Sequence, residues 1–310
     1  MNINYQKKLK ISCICSIYIK TNLNQLILAI DSLLIQKYIP NEIIIILDGK
    51  VNKEIEDFLV FLKKRNSIFK ILRLSKNSGL GVALKLGIEI CKNDIIARFD
   101  ADDINLQDRL KKQYDLISSN RRISIVGSSV IEFKNYSNKS KYQIKDIPLT
   151  FEDIKINYMH RNPLNHPTVI FKKKDIIKVG SYKNIKFFED YELWIRCIKN
   201  KQKIINIAEP LVAMRRESYL ANRRGIKYAL YEILFIKSLI SNKYFKFRHL
   251  PFFILRIIIR FFPYKITINL KRFDKLRSNE YLYDLESYIN KLKTENKSIY
   301  STYNSHLKKS

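Results

Sequence analysis

The sequence predicts an α/β fold, a mainly parallel sheet flanked by helices, followed by a basic amphipathic helical region. Three observations carry this. Strand-like and helix-like segments alternate over residues 9–133. Four consecutive isoleucines, Ile43 to Ile46, mark a strand buried on both faces. Near residue 216 the chain changes to a mixture of cations, aromatics and aliphatics. The expected division is an α/β domain over 1–215 and a basic helical region over 216–310.

In order, Leu9 to Tyr18 reads as a strand, and Leu26, Ala29, Ile30, Leu33 and Leu34 give Leu23 to Gln36 a helical spacing. The isoleucine strand, Glu42 to Leu47, stops at the turn pair Asp48-Gly49. A helix over Lys53 to Lys64, a strand over Phe69 to Leu74, a helix over Gly81 to Cys91 and a strand over Asp94 to Phe99 follow. This last strand ends in Asp100-Ala101-Asp102-Asp103. A helix over Leu106 to Ser118 leads to a strand over Ile123 to Phe133. His166-Pro167-Thr168 precedes apolar Val169 to Phe171, and Glu189-Asp190 opens an amphipathic stretch reaching Lys199.

Composition narrows the function classes. With 46% hydrophobic residues the chain buries a core and is not a disordered polymer. A formal charge of +29 attracts polyanions, anionic lipid or phosphorylated substrates. There is no zinc-finger spacing, aromatic RNA-binding signature or recognition helix, so no nucleic-acid partner is expected. Cys13, Cys15, Cys91 and Cys197 lack paired metal-site spacing and read as free thiols of a reducing compartment. The polar start leads straight into a strand, so no signal peptide is expected, and no stretch has the ~18 apolar residues of a spanning helix.

In open α/β sheets, ligands bind beyond the carboxyl ends of the strands. Tyr18, Asp48, Asn77 and the Asp100 cluster all fall there, so four units point to one crevice. Three carboxylates as close as Asp100, Asp102 and Asp103 repel unless a cation or strong donors neutralise them. An all-oxygen donor set suits Mg²⁺ or Mn²⁺. The competing reading is a solvated loop in which Asp103 or Asn105 caps the next helix, and Asp48-Gly49 can equally be an ordinary turn.

The series ISCICSIYIKTN, EIIIILDG, LSKNSGLGVALKLGI, IIARFDADD, NHPTVIF and FFEDYELWIR, in this order, resembles the inverting glycosyltransferases of family 2, which have the GT-A fold. The likeness is greatest to bacterial enzymes that extend capsule, exopolysaccharide or O-antigen units. It covers roughly residues 9 to 215 and continues weakly to about 272. A single D-x-D triplet is common; six ordered motifs are specific.

The resemblance implies a nucleotide-sugar donor, expected to be a UDP-sugar, held through Mn²⁺ or Mg²⁺. It assigns Ser16 and Tyr18 to the base and ribose, Asp48 to the base, Asp102 to the ribose-side carboxylate and Asp103 to the metal. Asp100 reaches the metal or only the ribose. Asn77 and Lys85 line the donor site, although Asn77 or Ser78 could simply cap the following helix. Family members often carry two acids before the glycine, whereas this chain has Leu47-Asp48-Gly49. Asp190 matches the general base and Glu189 its acidic neighbour; an acidic first turn complementing a helix dipole is the alternative. His166 matches a histidine near diphosphate or acceptor, and Arg215 and Arg216 follow the last core strand and are positioned to close over diphosphate. The Q-x-x-R-W pattern of processive members is absent, which implies addition of one sugar.

The acceptor implied is a polyprenyl-diphosphate-linked glycan. Phe245 to Phe273, with Arg248, Arg256, Arg260, Lys265, Lys271 and Arg272 among its apolar residues, then reads as a segment lying on an anionic membrane with its cations at headgroup level. Packing of this segment on the catalytic domain is the competing reading. The expected location is the inner face of the cytoplasmic membrane. Other functions remain open at this point: a sugar-phosphate nucleotidyltransferase, although the Gly-rich phosphate loop is missing, or a non-enzymatic polyanion- or membrane-binding protein.

Overall fold

The computed structural model describes residues 7–134, 142–145, 147–215, 225–262, 276–277, 285–294 and 298–307. Strand β1 (Lys7–Ile17) lies in the middle of the sheet, parallel to β2 (Tyr38–Leu47) on one side and β4 (Ile95–Arg98) on the other. Beyond β2 lies β3 (Phe69–Arg73), also parallel. The spatial order β3-β2-β1-β4 reverses direction at β1, and the crevice at the carboxyl ends of β1 and β4 is where such sheets bind ligands. Antiparallel β8 (Ile170–Lys172) continues the sheet from β4 to β6 (Ile123–Phe133). Beyond β6, β7 (Gln143–Lys145) and β10 (Leu276–Arg277) complete the edge, while the long β9 (Lys203–Arg215) pairs with both β6 and the short β5 (Ile104–Asn105).

Alternation along the strands divides the core in two. Ile43 and Ile45 of β2 and Cys13 and Cys15 of β1 face one layer. That layer is supplied by α1 (Leu23–Leu34), α2 (Lys53–Arg65) and α4 (Arg109–Ser119). Ile44, Ile46 and Ile14 face the other, against α3 (Leu80–Ile90) and α7 (Glu189–Lys199). Each fully buried isoleucine contributes roughly 1.5–3 kcal/mol, which is why the isoleucine run specifies a central strand. All four cysteines are buried free thiols. Burial raises the Cys15 thiol well above its ordinary range, leaving it inert.

The predicted boundaries hold to a few residues, with one difference at α4. The helix begins at Arg109, not Leu106, because Ile104 and Asn105 pair with Ala213 and Val212 of β9. Asn105 caps nothing: its side-chain Nδ2 donates to Ser32 Oγ at 2.9 Å, and its side-chain Oδ1 accepts from Arg109.

The described C-terminal residues return to the α/β body. Helix α8 (Gly225–Ser241) and α9 (Leu250–Ile259) pack Tyr228, Phe235, Leu239 and Phe253 against Phe188, Tyr191 and Ile195 around α7. Helix α10 (Leu285–Thr294) joins a cluster with Ile104 and Ala213, and Tyr288 Oη donates to the Asn105 carbonyl at 3.1 Å. Helix α11 (Ile299–Leu307) adds Ile299 and Tyr303 to the layer of α1 and α2. Arg256 and Arg260, expected at headgroup level, turn inward to the buried carboxylate of Glu232, at 2.6 and 2.9 Å. Lys265, Lys271 and Arg272 lie outside the described residues.

Candidate active site

Backbone hydrogen bonds extend past the strand ends and fix the loops of the crevice. Asp48 N–H donates to the Ile17 carbonyl at 2.8 Å, Leu74 N–H to Leu47 at 2.9 Å and Phe99 N–H to Ile14 at 3.1 Å. The four features that the sequence points to one end of the sheet therefore do share it.

At the β2 end, Asp48 accepts from the backbone N–H groups of Ser78 at 2.6 Å and Gly79 at 2.9 Å. Gly79 is the N-cap of α3, with no side-chain cap of its own. Capping by Asn77 or Ser78 is thus replaced by a carboxylate reaching across from β2, which satisfies orphan helix donors and faces the positive end of the dipole. Gly49 makes the approach possible. Its φ is +84°, and a Cβ there would stand 2.7 Å from the Asn77 nitrogen. Asn77 and Lys85 are exposed, Ser16 is half-buried, and exposed Tyr18 begins a turn in which its N–H donates to Thr21 Oγ1 at 3.0 Å.

At the β4 end, Asp100, Asp102 and Asp103 each present an oxygen within 4.8 Å of the others. Asp103 is 3% exposed. Burial, then the charges of Asp102 and Asp100, push its carboxyl well above the ordinary range. Burial and Asp100 push Asp102 up to about 6. Partial compensation comes from the Arg98 guanidinium, ion-paired with Asp100, and from Arg215, whose N–H donates to Asp103 Oδ1 at 2.8 Å. The Arg215 Nε donates to the Asp102 carbonyl at 3.3 Å while its guanidinium covers the Phe133 ring. Crowded, all-oxygen, with Asp103 buried and its two neighbours half-buried, and still short of positive charge, this donor set fits a hard divalent cation. Arg216 lies outside the described residues.

Helix α7 presents Glu189 and Asp190 in its first turn, both half-buried. Asn162 Nδ2 donates to Asp190 Oδ2 at 2.7 Å, holding one carboxylate oxygen. Buried Glu192 pairs with Arg196, which also donates to the carbonyls of Val179 and Ser181; Trp194 is fully buried. Arg196 and Trp194 thus orient the helix. Gly81 lets α3 touch the same loop, since a Cβ there would meet the Lys183 carbonyl at 2.3 Å and Glu189 Cβ at 3.3 Å.

Tyr182 is buried beside His166 and Trp194. Its hydroxyl lies 2.8 Å from His166 Nε2. Burial pushes its ionisation well above the ordinary value; Arg98 opposes this, and Asp190 and Glu189 reinforce it. The charges that act on the buried phenol are those of Arg98 and of the α7 acids. His166 also lies edge-on to Trp194 at 6.1 Å. Arg98, Asn162 and Tyr182 escape the sequence reading. Only Arg98 left a signal, a cation inside an apolar strand.

A family model described as glycosyl transferase family 2 matches residues 12–184. Among curated relatives, the Escherichia coli "UDP-Gal:alpha-D-GlcNAc-diphosphoundecaprenol beta-1,3-galactosyltransferase" is 37% identical over 254 residues, 82% of this chain and 90% of the relative. The amylovoran biosynthesis glycosyltransferase AmsE of Erwinia amylovora is 33% identical over 258 residues, 82% and 95%. In fold, the chain is similar to a mannosyltransferase of Pyrobaculum calidifontis solved with GDP-Man and Mn²⁺, with TM-score 0.55 and 12% identity over 77% of this chain and 66% of that one. It is likewise similar to S. aureus TarS with UDP-GlcNAc, with TM-score 0.56 and 14% identity over 73% and 65%.

Proposed function

Because the chain belongs to glycosyl transferase family 2 and is a glycosyltransferase, we propose that it adds one sugar from a UDP-sugar to a lipid-linked glycan, inverting the anomeric centre, in surface-polysaccharide biosynthesis. The observation that carries this reading is the acidic triad at the turning point of the sheet. The relative named for a diphosphoundecaprenol acceptor supports the lipid-linked class, and with it a working position at the inner membrane surface.

Asp102 and Asp103, with Asp100 beside them, are the residues that would hold Mn²⁺ or Mg²⁺. When bound, the cation neutralises charge on the departing nucleoside diphosphate. The remaining steps belong to the chain. Ser16, Tyr18 and Asp48 border the base and ribose, and Asp48 also fixes the Ser78–Gly79 backbone beside them. Asp190 takes the acceptor hydroxyl's proton as that oxygen bonds to the anomeric carbon and the bond to diphosphate breaks. The Asn162 amide donates to Oδ2 and holds the carboxylate in orientation. Arg215 supplies positive charge next to the triad.

The test is a screen of UDP- and GDP-sugars with Mn²⁺, read by thermal stabilisation and donor hydrolysis. A UDP-sugar is expected to stabilise the chain only with the metal; stabilisation by none of the donors would remove the proposal.

A further inference from the structure

The helical pair α8–α9 buries one side and leaves the other apolar. Inward, Phe235 stacks on Phe188 with ring centroids 4.8 Å apart, and Glu232, fully buried, is matched by Arg256 and Arg260. Outward, Ile226, Leu230 and Leu234 of α8 recur at helical spacing and are each more than half exposed, and Ile254, Leu255 and Ile258 of α9 are about half exposed. So large an apolar display marks an interaction face.

Its charge pattern selects the occupant. Over residues 225–262 the only acid is Glu232, which faces inward. Lys227, Lys237, Lys243, Lys246 and Arg248 are all exposed, so the outer charges of this segment are cationic. A second copy would oppose cations to cations on a chain of net charge +29. An anionic bilayer takes both parts, acyl chains against the apolar stripes and headgroups against the lysines. No helix among the described residues is long and apolar enough to cross a membrane, so the pair lies on the bilayer.

We propose that α8–α9 forms a monotopic docking face which inserts its apolar stripes into an anionic membrane, and that this face sets the orientation of α7. The proposal rests on the reading of a lipid-linked acceptor. It goes further by making insertion, not headgroup attraction alone, the source of binding. The same helices that present the face clamp Phe188 and Tyr191, the neighbours of Glu189 and Asp190. Docking therefore brings Asp190 to the membrane as one packed unit with the helices that insert.

The experiment is co-sedimentation of the full chain with phosphatidylcholine–phosphatidylglycerol vesicles, without nucleotide or glycan. Wild type is expected to bind and to keep much of its binding when salt is raised. The double variant Leu230→Ser/Ile254→Ser should bind at least about tenfold more weakly with an unchanged melting curve. Phe247→Ser, at a side chain 85% exposed, repeats the test with least risk to folding and should also weaken binding. Equal vesicle binding by wild type and both variants, or complete release of wild type by salt, would overturn the proposal. So would a wild-type dimer that either variant converts to monomer. A parallel titration of UDP with Mn²⁺ reports on the transferase reading separately, because neither assay uses the other's ligand.

Discussion

The backbone N–H of Arg215 donates to Asp103 Oδ1 over 2.8 Å, joining the end of β9 to a loop 112 residues earlier in the chain. The bond holds one oxygen of a buried carboxylate in place and leaves its charge only partly compensated. Asp103→Asn keeps an acceptor for that N–H and removes the charge. The metal-free variant is therefore expected to melt at or above the wild-type temperature, while metal-dependent turnover falls by two orders of magnitude or more, on the order of other lost charge-stabilising groups. Paired melting curves and kcat/KM values check both halves.

The raised acids also set a pH dependence. A carboxyl whose folded pKa lies above its unfolded value, as for Asp102 at about 6, binds its proton more tightly when folded. That contribution is present at low pH and is lost as pH rises from about 4 through about 6. The metal-free chain should lose stability across this window. Since the ligands must be deprotonated, Mn²⁺ should stabilise strongly above it and weakly below. Thermal melts with and without Mn²⁺ across the window check this, and equal stabilisation at both ends would contradict it.

Asp190→Asn keeps the side-chain size and removes the base. Nucleotide binding is expected to persist within about threefold while transfer falls by about 10²–10⁴. Single-turnover transfer beside donor titration separates the two. Undiminished transfer would move the base elsewhere.

Gly81→Ala tests the contact between α3 and α7. The added Cβ would meet the Lys183 carbonyl at 2.3 Å, so one element must move. A stability loss of about 1–3 kcal/mol is expected, with a larger effect on kcat than on donor affinity because Glu189 and Asp190 shift with α7. Denaturant melts and steady-state kinetics check the pair of effects.

Glu232→Ala leaves Arg256 and Arg260 without their buried counter-charge, and about 3–5 kcal/mol of stability should be lost. Cutting the chain after Ser241 strands Glu232 in the same way and removes Phe253 from its cluster, so such a truncation is expected to destabilise the protein as well as to change its partitioning. Urea titration of both forms measures the loss.

Much of this was legible in the residues. The isoleucine run, the Asp48-Gly49 stop and the Asp100 cluster mark strand ends because burial and turn chemistry leave local traces. The end of α4 nearest the acidic loop was misjudged because Ile104 and Asn105 answer to β9, more than a hundred residues away. Asp48 as a cap for α3, Asn162 against Asp190 and Tyr182 against His166 leave no local pattern at all. Each is a long-range contact made by a residue of ordinary type. The inward turn of Arg256 and Arg260 depends likewise on where Glu232 falls in a helix that composition alone makes look interfacial.

The central claim, that the acidic loop holds a nucleotide through a divalent cation, is tested most directly by calorimetric titration of UDP with and without Mn²⁺, on wild type and Asp103→Ala. The account predicts micromolar to sub-millimolar binding by wild type only with the metal, and at least about tenfold loss in the variant. Metal-independent binding, or equal binding by the variant, would contradict it.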